Sequence, residues 1–122
     1  MNSDFNKMPW HDSEILNIAI DRANPGNNDR VVIDICWCNG DISQLIFKDC
    51  YALEFQMNFG VIASESILDA CSTSQSSKLD VIREKWKQGV DLNNLSCFEI
   101  KTNSTASVLR IYSLTYEIVH NP

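Results

Sequence analysis

Residues 31–48 read VVIDICWC-NG-DISQLIFK, two apolar runs on either side of Asn39-Gly40. A two-residue type I′ turn needs positive φ at both central positions, and Asn-Gly meets that demand at low steric cost, so the stretch predicts a β-hairpin. A two-residue turn also sets the register, pairing Cys38 with Asp41, Cys36 with Ser43 and Val31 with Lys48. One face then carries Val31, Ile33, Ile35, Trp37, Ile42 and Ile46, with Gln44 and Lys48. The other carries Val32, Asp34, Cys36, Cys38, Asp41, Ser43, Leu45 and Phe47. The isoleucine and tryptophan face is the expected core side.

Working outward, residues 51–59 alternate, with Tyr51, Leu53, Phe55, Met57 and Phe59 on one side, which is the pattern of a half-buried strand. Weaker alternation puts Leu16, Ile18 and Ile20 inward on a first strand and Phe98 and Ile100 inward on a late one. A long final strand carries Val108, Tyr112, Leu114, Tyr116 and Ile118 inward, with Arg110 expected at the sheet rim or against an acid. Between the fourth and fifth strands the period turns helical. A short helix is expected over Glu65 to Cys71, and a second follows Ser77 over Lys78 to Gln88, with Leu79, Ile82 and Trp86 on one face and Gly89 as an αL stop. The expected fold is α+β: a mainly antiparallel, curved sheet of about six strands, with one or two helices inserted between strands 4 and 5, in a single domain over residues 1–122.

Composition narrows the function classes. With 122 residues, 44% hydrophobic and 21% charged, the chain can bury a core without staples. Five cysteines, an odd number, fit reduced thiols better than a disulfide framework, and the opening MNSDFNKMPWHDSE lacks a signal-peptide apolar stretch. These features point to the cytoplasm. The net charge of −6 argues against nucleic acid or an anionic membrane as a main partner. Most of that charge lies in residues 1–61, where nine Asp and Glu face four Lys and Arg, giving −5.

Few residues invite chemistry. Trp10-His11-Asp12-Ser13 has the letters of a triad, but consecutive side chains diverge, so the expectation is a turn entering the first strand with Asp12 or Ser13 capping backbone amides. Cys36-Trp37-Cys38 places two thiols on one strand face about 6.5 Å apart, a spacing poorly suited to a zinc ligand pair. With His11 they form the alternative reading, a small metal- or thiol-dependent enzyme. Only His11 and His120 are available as bases. Dinucleotide, phosphate-loop, metalloprotease and nucleophile-elbow motifs are missing from the sequence, and no cofactor is expected.

Trp10-His11-Asp12-Ser13, the Asn39-Gly40 hairpin, and Phe47-Lys48-Asp49-Cys50-Tyr51 leading to Met57-Asn58-Phe59-Gly60 resemble small uncharacterised bacterial proteins, some of them immunity partners of secreted toxins. The resemblance covers about the first half of the chain. It implies a non-enzymatic protein-binding module whose partner is another protein such as a basic toxin, and a monomer or homodimer is expected. An acidic surface would steer such a partner and reject others. On local charge, Asp12, Glu14, Asp34 and Asp41 are the candidate partner-binding residues. A self-associating structural subunit is the further alternative.

Overall fold

The structure is a computed structural model and describes residues 2–120. Its strands are β1 (Glu14–Asp21), β2 (Arg30–Cys36), β3 (Ile42–Gln56), β4 (Glu65–Thr73), β5 (Ser96–Thr102) and β6 (Val108–His120); its helices are α1 (Asn2–Asn6) and α2 (Ser77–Trp86). All strand pairs are antiparallel, and the sheet closes into a barrel in the order β1-β2-β3-β6-β5-β4. The α+β expectation holds, with α2 between β4 and β5. None of the described helices is long and apolar enough to cross a membrane.

A small barrel must be filled by its own side chains. Val31, Ile33 and Ile35 of β2, Leu45 and Phe47 of β3, Ile67 of β4, Phe98 and Ile100 of β5, and Leu109 and Ile111 of β6 point inward and are fully buried. Phe5 of α1 completes the filling, its ring centroid 4.7 Å from Trp10, 5.0 Å from Phe98 and 5.3 Å from Tyr116. A second cluster lies outside the barrel, where Leu79 and Ile82 of α2 pack with Leu92, Leu95, Cys97 and Tyr112.

The hairpin forms, but one residue out of the expected register. Trp37 N donates to Asp41 O at 2.7 Å and Gly40 N to Trp37 O at 2.8 Å, leaving the three-residue loop Cys38-Asn39-Gly40 with only Gly40 at positive φ (+96°). Asn39 Oδ1 accepts from Asp41 N at 2.9 Å, an Asx-turn that holds Asn39 out of the left-handed region a type I′ turn requires. Cys36 therefore faces Ile42, and Val31 faces Phe47. A one-residue slip turns a strand over. Ser43, Leu45 and Phe47 go inside while Ile42 stays exposed, and Ser43 is satisfied there by accepting from Trp37 Nε1 at 2.9 Å.

Four further differences come mainly from bulges. The expected strands over 41–48 and 51–59 are one 15-residue strand, β3, bent where Asp49 takes φ +55° and the register shifts between Cys50 and Ala52. Phe59 falls beyond its end. In β1 a register shift between Ile15 and Asn17 turns Ile15 and Ile18 toward the core and exposes Leu16 and Ile20. Residues 65–71 are strand rather than helix, since Ile67 and Ala70 both reach the core across a shift between Ile67 and Asp69. In β6, Leu109 and Ile111 are inward while Tyr112 and Leu114 pack under α2; Tyr116 and Ile118 reach the core as expected.

Helix α2 is capped one residue earlier than expected, with Ser76 Oγ accepting from Leu79 N at 3.2 Å. It ends without a left-handed glycine: Gly89 and Val90 both donate to Trp86 O at 3.1 Å. Trp86 is partly exposed and meets Tyr51 edge-on at 5.6 Å.

Closure rests on a short seam. β1 and β4 pair only through Glu14 with Ser66 and Ile15 with Glu65. On one side of this ladder the amino-terminal segment continues the pairing, with Ile67 N donating to Ser13 O (2.7 Å), Asp12 N to Ile67 O (3.0 Å) and Ser72 N to Asn6 Oδ1 (2.7 Å). On the other side β1 runs on to Asp21 paired with β2, its pairing with β4 having ended at Ile15.

Candidate functional site

The Trp10-His11-Asp12-Ser13 segment serves that closure. Trp10 is buried and its indole donates to Phe5 O at 2.6 Å. Ser13 is fully buried; its hydroxyl donates to Pro9 O at 2.8 Å and accepts from Cys38 N at 3.0 Å, tying β1 to the hairpin loop. Asp12 holds the turn at φ +66°. The expected capping role of Ser13 is present, though the amide it caps is 25 residues away rather than local.

The four acidic residues singled out from charge lie around β1 and the hairpin. Asp12 is exposed, 3.6 Å from His11 Nε2. Glu14 opens β1 and faces Cys36 across the β1–β2 pair, and Asp34, two residues before Cys36, accepts from Gln44 Nε2 at 3.1 Å. Asp41 closes the hairpin loop, with its carboxylate accepting from Asn39 Nδ2 at 3.2 Å.

Cys36, Cys38 and His11 are each engaged with a different backbone carbonyl: Cys36 Sγ with Trp37 O, Cys38 Sγ with Pro9 O, and His11 Nδ1 with Leu68 O. Among the described residues no three His, Cys, Asp or Glu side chains are grouped as metal ligands. All five cysteines are free. Burial pushes the Cys50 thiol up to about 12 and raises those of Cys97 and Cys71, so these three stay protonated at neutral pH.

Arg110 meets an acid, as expected of a cation inside an apolar stripe. Its Nε donates to Glu99 Oε2 at 2.7 Å, and Glu54 flanks it on the opposite strand. Glu54 also accepts from the Tyr112 hydroxyl at 2.6 Å, and burial with that bond raises the Tyr112 pKa. This cross-strand ladder ties β3, β6 and β5 together on the outer face.

The uncovered side of the seam carries features not anticipated from sequence. Ile15, Ile18, Met57 and Leu109, with Glu65, line a cavity of about 250 Å³ there. The loop from Asn58 to Ser64 joins two of its walls, Met57 and Glu65. Both loop ends are tied to the β5–β6 turn: Asn58 N donates to Ser107 Oγ at 2.9 Å, Asn58 Nδ2 to Thr105 O at 2.9 Å, and the Ser104 hydroxyl to Ser64 O. The tip between them is apolar and in solvent, with Phe59 82%, Val61 52% and Ile62 103% exposed. The alternation over 51–59 concealed Phe59, and the helical reading of 65–71 concealed Glu65. Gly60, at φ +93°, was the available sign that the strand ends before Phe59.

Compared with known proteins, the chain matches no family model and no curated protein sequence.

Proposed function

We propose that the protein is a non-enzymatic protein-binding module, of the kind represented by an immunity protein that neutralises a toxin. The observation that carries this reading is the Phe59-Gly60-Val61-Ile62 tip. Folding gains almost nothing from apolar side chains left in water, whereas an interface gains from burying them. The tip is supported at both ends, so little ordering cost is added when a partner covers it.

The acidic residues Asp12, Glu14, Asp34 and Asp41 supply the second part of the reading, a field that attracts a basic protein and speeds encounter. Glu14 pairs with Ser66, so one of these acids lies beside the strand into which the tip-bearing loop leads. An apolar contact together with acidic residues elsewhere on the surface suits a basic partner, with the tip setting lifetime and the acids setting on-rate.

The test compares three forms of the immobilised protein in extract of its host: wild type, Phe59→Ser/Ile62→Ser, and charge reversal at the four acids. The expected result is one basic protein retained by wild type, released by salt, lost with the tip variant and captured more slowly by the charge-reversed form. Equal retention by all three forms, or retention by none, would overturn the reading.

A further inference from the structure

A carboxylate oxygen sealed from solvent without a hydrogen-bond partner is rare in folded proteins and calls for a cause. Among the described residues Glu65 Oε1 is the one buried side-chain oxygen or nitrogen in that state. Its twin Oε2 accepts from Thr105 Oγ1 at 2.6 Å, and Thr105 Oγ1 lies 2.6 Å from Ser107 Oγ and 3.3 Å from Thr102 Oγ1.

The proton count in this cluster is decisive. A hydroxyl has one proton, and Thr105 gives its own to Glu65, so Ser107 and Thr102 must donate to Thr105. Ser107 Oγ in turn accepts from Asn58 N, and Thr102 Oγ1 accepts from Ser107 N. All three hydroxyl protons are therefore directed along the chain toward Oε2, and none remains for Oε1. The apolar walls, Ile15, Ile18, Met57 and Leu109, offer no donor, and the amide of Asn17, an exposed residue that also lines the cavity, makes no bond to Oε1.

The geometry points to a binding site for a small organic cation on the open side of the seam. An alkylammonium group donates to Glu65 Oε1 while its hydrocarbon part packs on Ile15, Ile18, Met57 and Leu109. Apolar walls with a few fixed polar groups are the usual make-up of a small-molecule site, and the mouth of a barrel is a usual place for one. An anion is repelled by the carboxylate, and a plain hydrocarbon leaves Oε1 unpaired. Because Oε1 lies out of reach of solvent, the cation reaches it only as the side chains that line the cavity shift. This site does not depend on the protein-binding reading, since it uses the cavity and not the outward face of the tip.

The test follows the methyl groups of Ile15, Ile18, Met57 and Leu109 by carbon-13 NMR in the full chain, with Ile35 as a core reference. The probes are n-butylammonium chloride, n-butanol and sodium butyrate. Butylammonium is expected to give saturable shifts confined to the four cavity residues, butanol weaker ones, and butyrate none. Glu65→Gln, which keeps the side-chain size, is expected to weaken butylammonium about tenfold or more and butanol much less. Thr105→Val, which removes the donor to Oε2 and leaves the carboxylate, is expected to bind butylammonium at least as well as wild type. Absence of saturable butylammonium shifts in wild type would mean that buried water satisfies Oε1 and would overturn the site. Equal butylammonium affinity in folded Glu65→Gln, weaker binding by folded Thr105→Val, or butyrate shifting the same methyls as strongly would do the same.

Discussion

The two sides of the β1–β4 seam solve one problem in opposite ways. On one side the amino-terminal segment lays Asp12 and Ser13 along β4, buries Trp10 and sends Phe5 into the barrel. On the other, β1 continues without β4, next to a cavity, an unpaired carboxylate oxygen and an apolar loop in water. On the first side Phe5, Trp10 and Ser13 are buried and the polar atoms of Trp10 and Ser13 are paired, as parts of a fold should be. The second side is left incomplete, and that is where binding can add what folding did not.

The largest test of this contrast is Phe5→Ala. A fully buried aromatic touching Trp10, Phe98 and Tyr116 should cost about 3–5 kcal/mol on truncation, read from urea unfolding. A loss below about 1 kcal/mol would mean that α1 is an appendage rather than part of the core. Ser13→Ala comes next: it removes one acceptor from Cys38 N and one donor to Pro9 O, and should cost about 1–3 kcal/mol. His11→Ala, an exposed neighbour with a single bond to Leu68 O, should cost less than Ser13→Ala by the same measurement.

Alkaline titration probes how dry the interior is at the β3 bend. The Cys50 thiol ionises near 9 in the unfolded chain and is pushed up to about 12 by burial in the folded one. The folded state keeps a proton that the unfolded state releases, so stability is unaffected below about pH 9 and falls as pH rises from there toward about 12. Cys50→Ala should flatten that part of the pH–stability curve and leave the neutral region with the same slope. An unchanged alkaline slope would place the thiol in water.

Much of the fold was legible because alternation is strict wherever a strand is regular. Val31, Ile33, Ile35 and Trp37 were assigned to the core correctly, as were Phe98 and Ile100, and α2 was found from its apolar spacing. The failures in β1 and β4 share a cause. Bulges put two inward residues three apart, as with Ile15 and Ile18 or Ile67 and Ala70, and that spacing imitates a helix. Closing a barrel from six strands needs such bends, so the irregularity that hid β4 is what shapes the molecule. The hairpin register was lost to a side chain: Asn39 bonded Asp41 N instead of entering the left-handed region. The candidate site was mostly illegible, because Glu65 gains meaning only when Thr105, 40 residues on, fills one of its oxygens and leaves the other.

The most direct measurement is the urea unfolding midpoint of Phe59→Ser/Ile62→Ser. If the open side of the seam is built for contact rather than for folding, two large apolar residues can be made polar there with stability unchanged to within about 0.5 kcal/mol. A loss of more than about 1 kcal/mol would show that the tip packs as core, and would contradict the division on which the protein-binding reading depends.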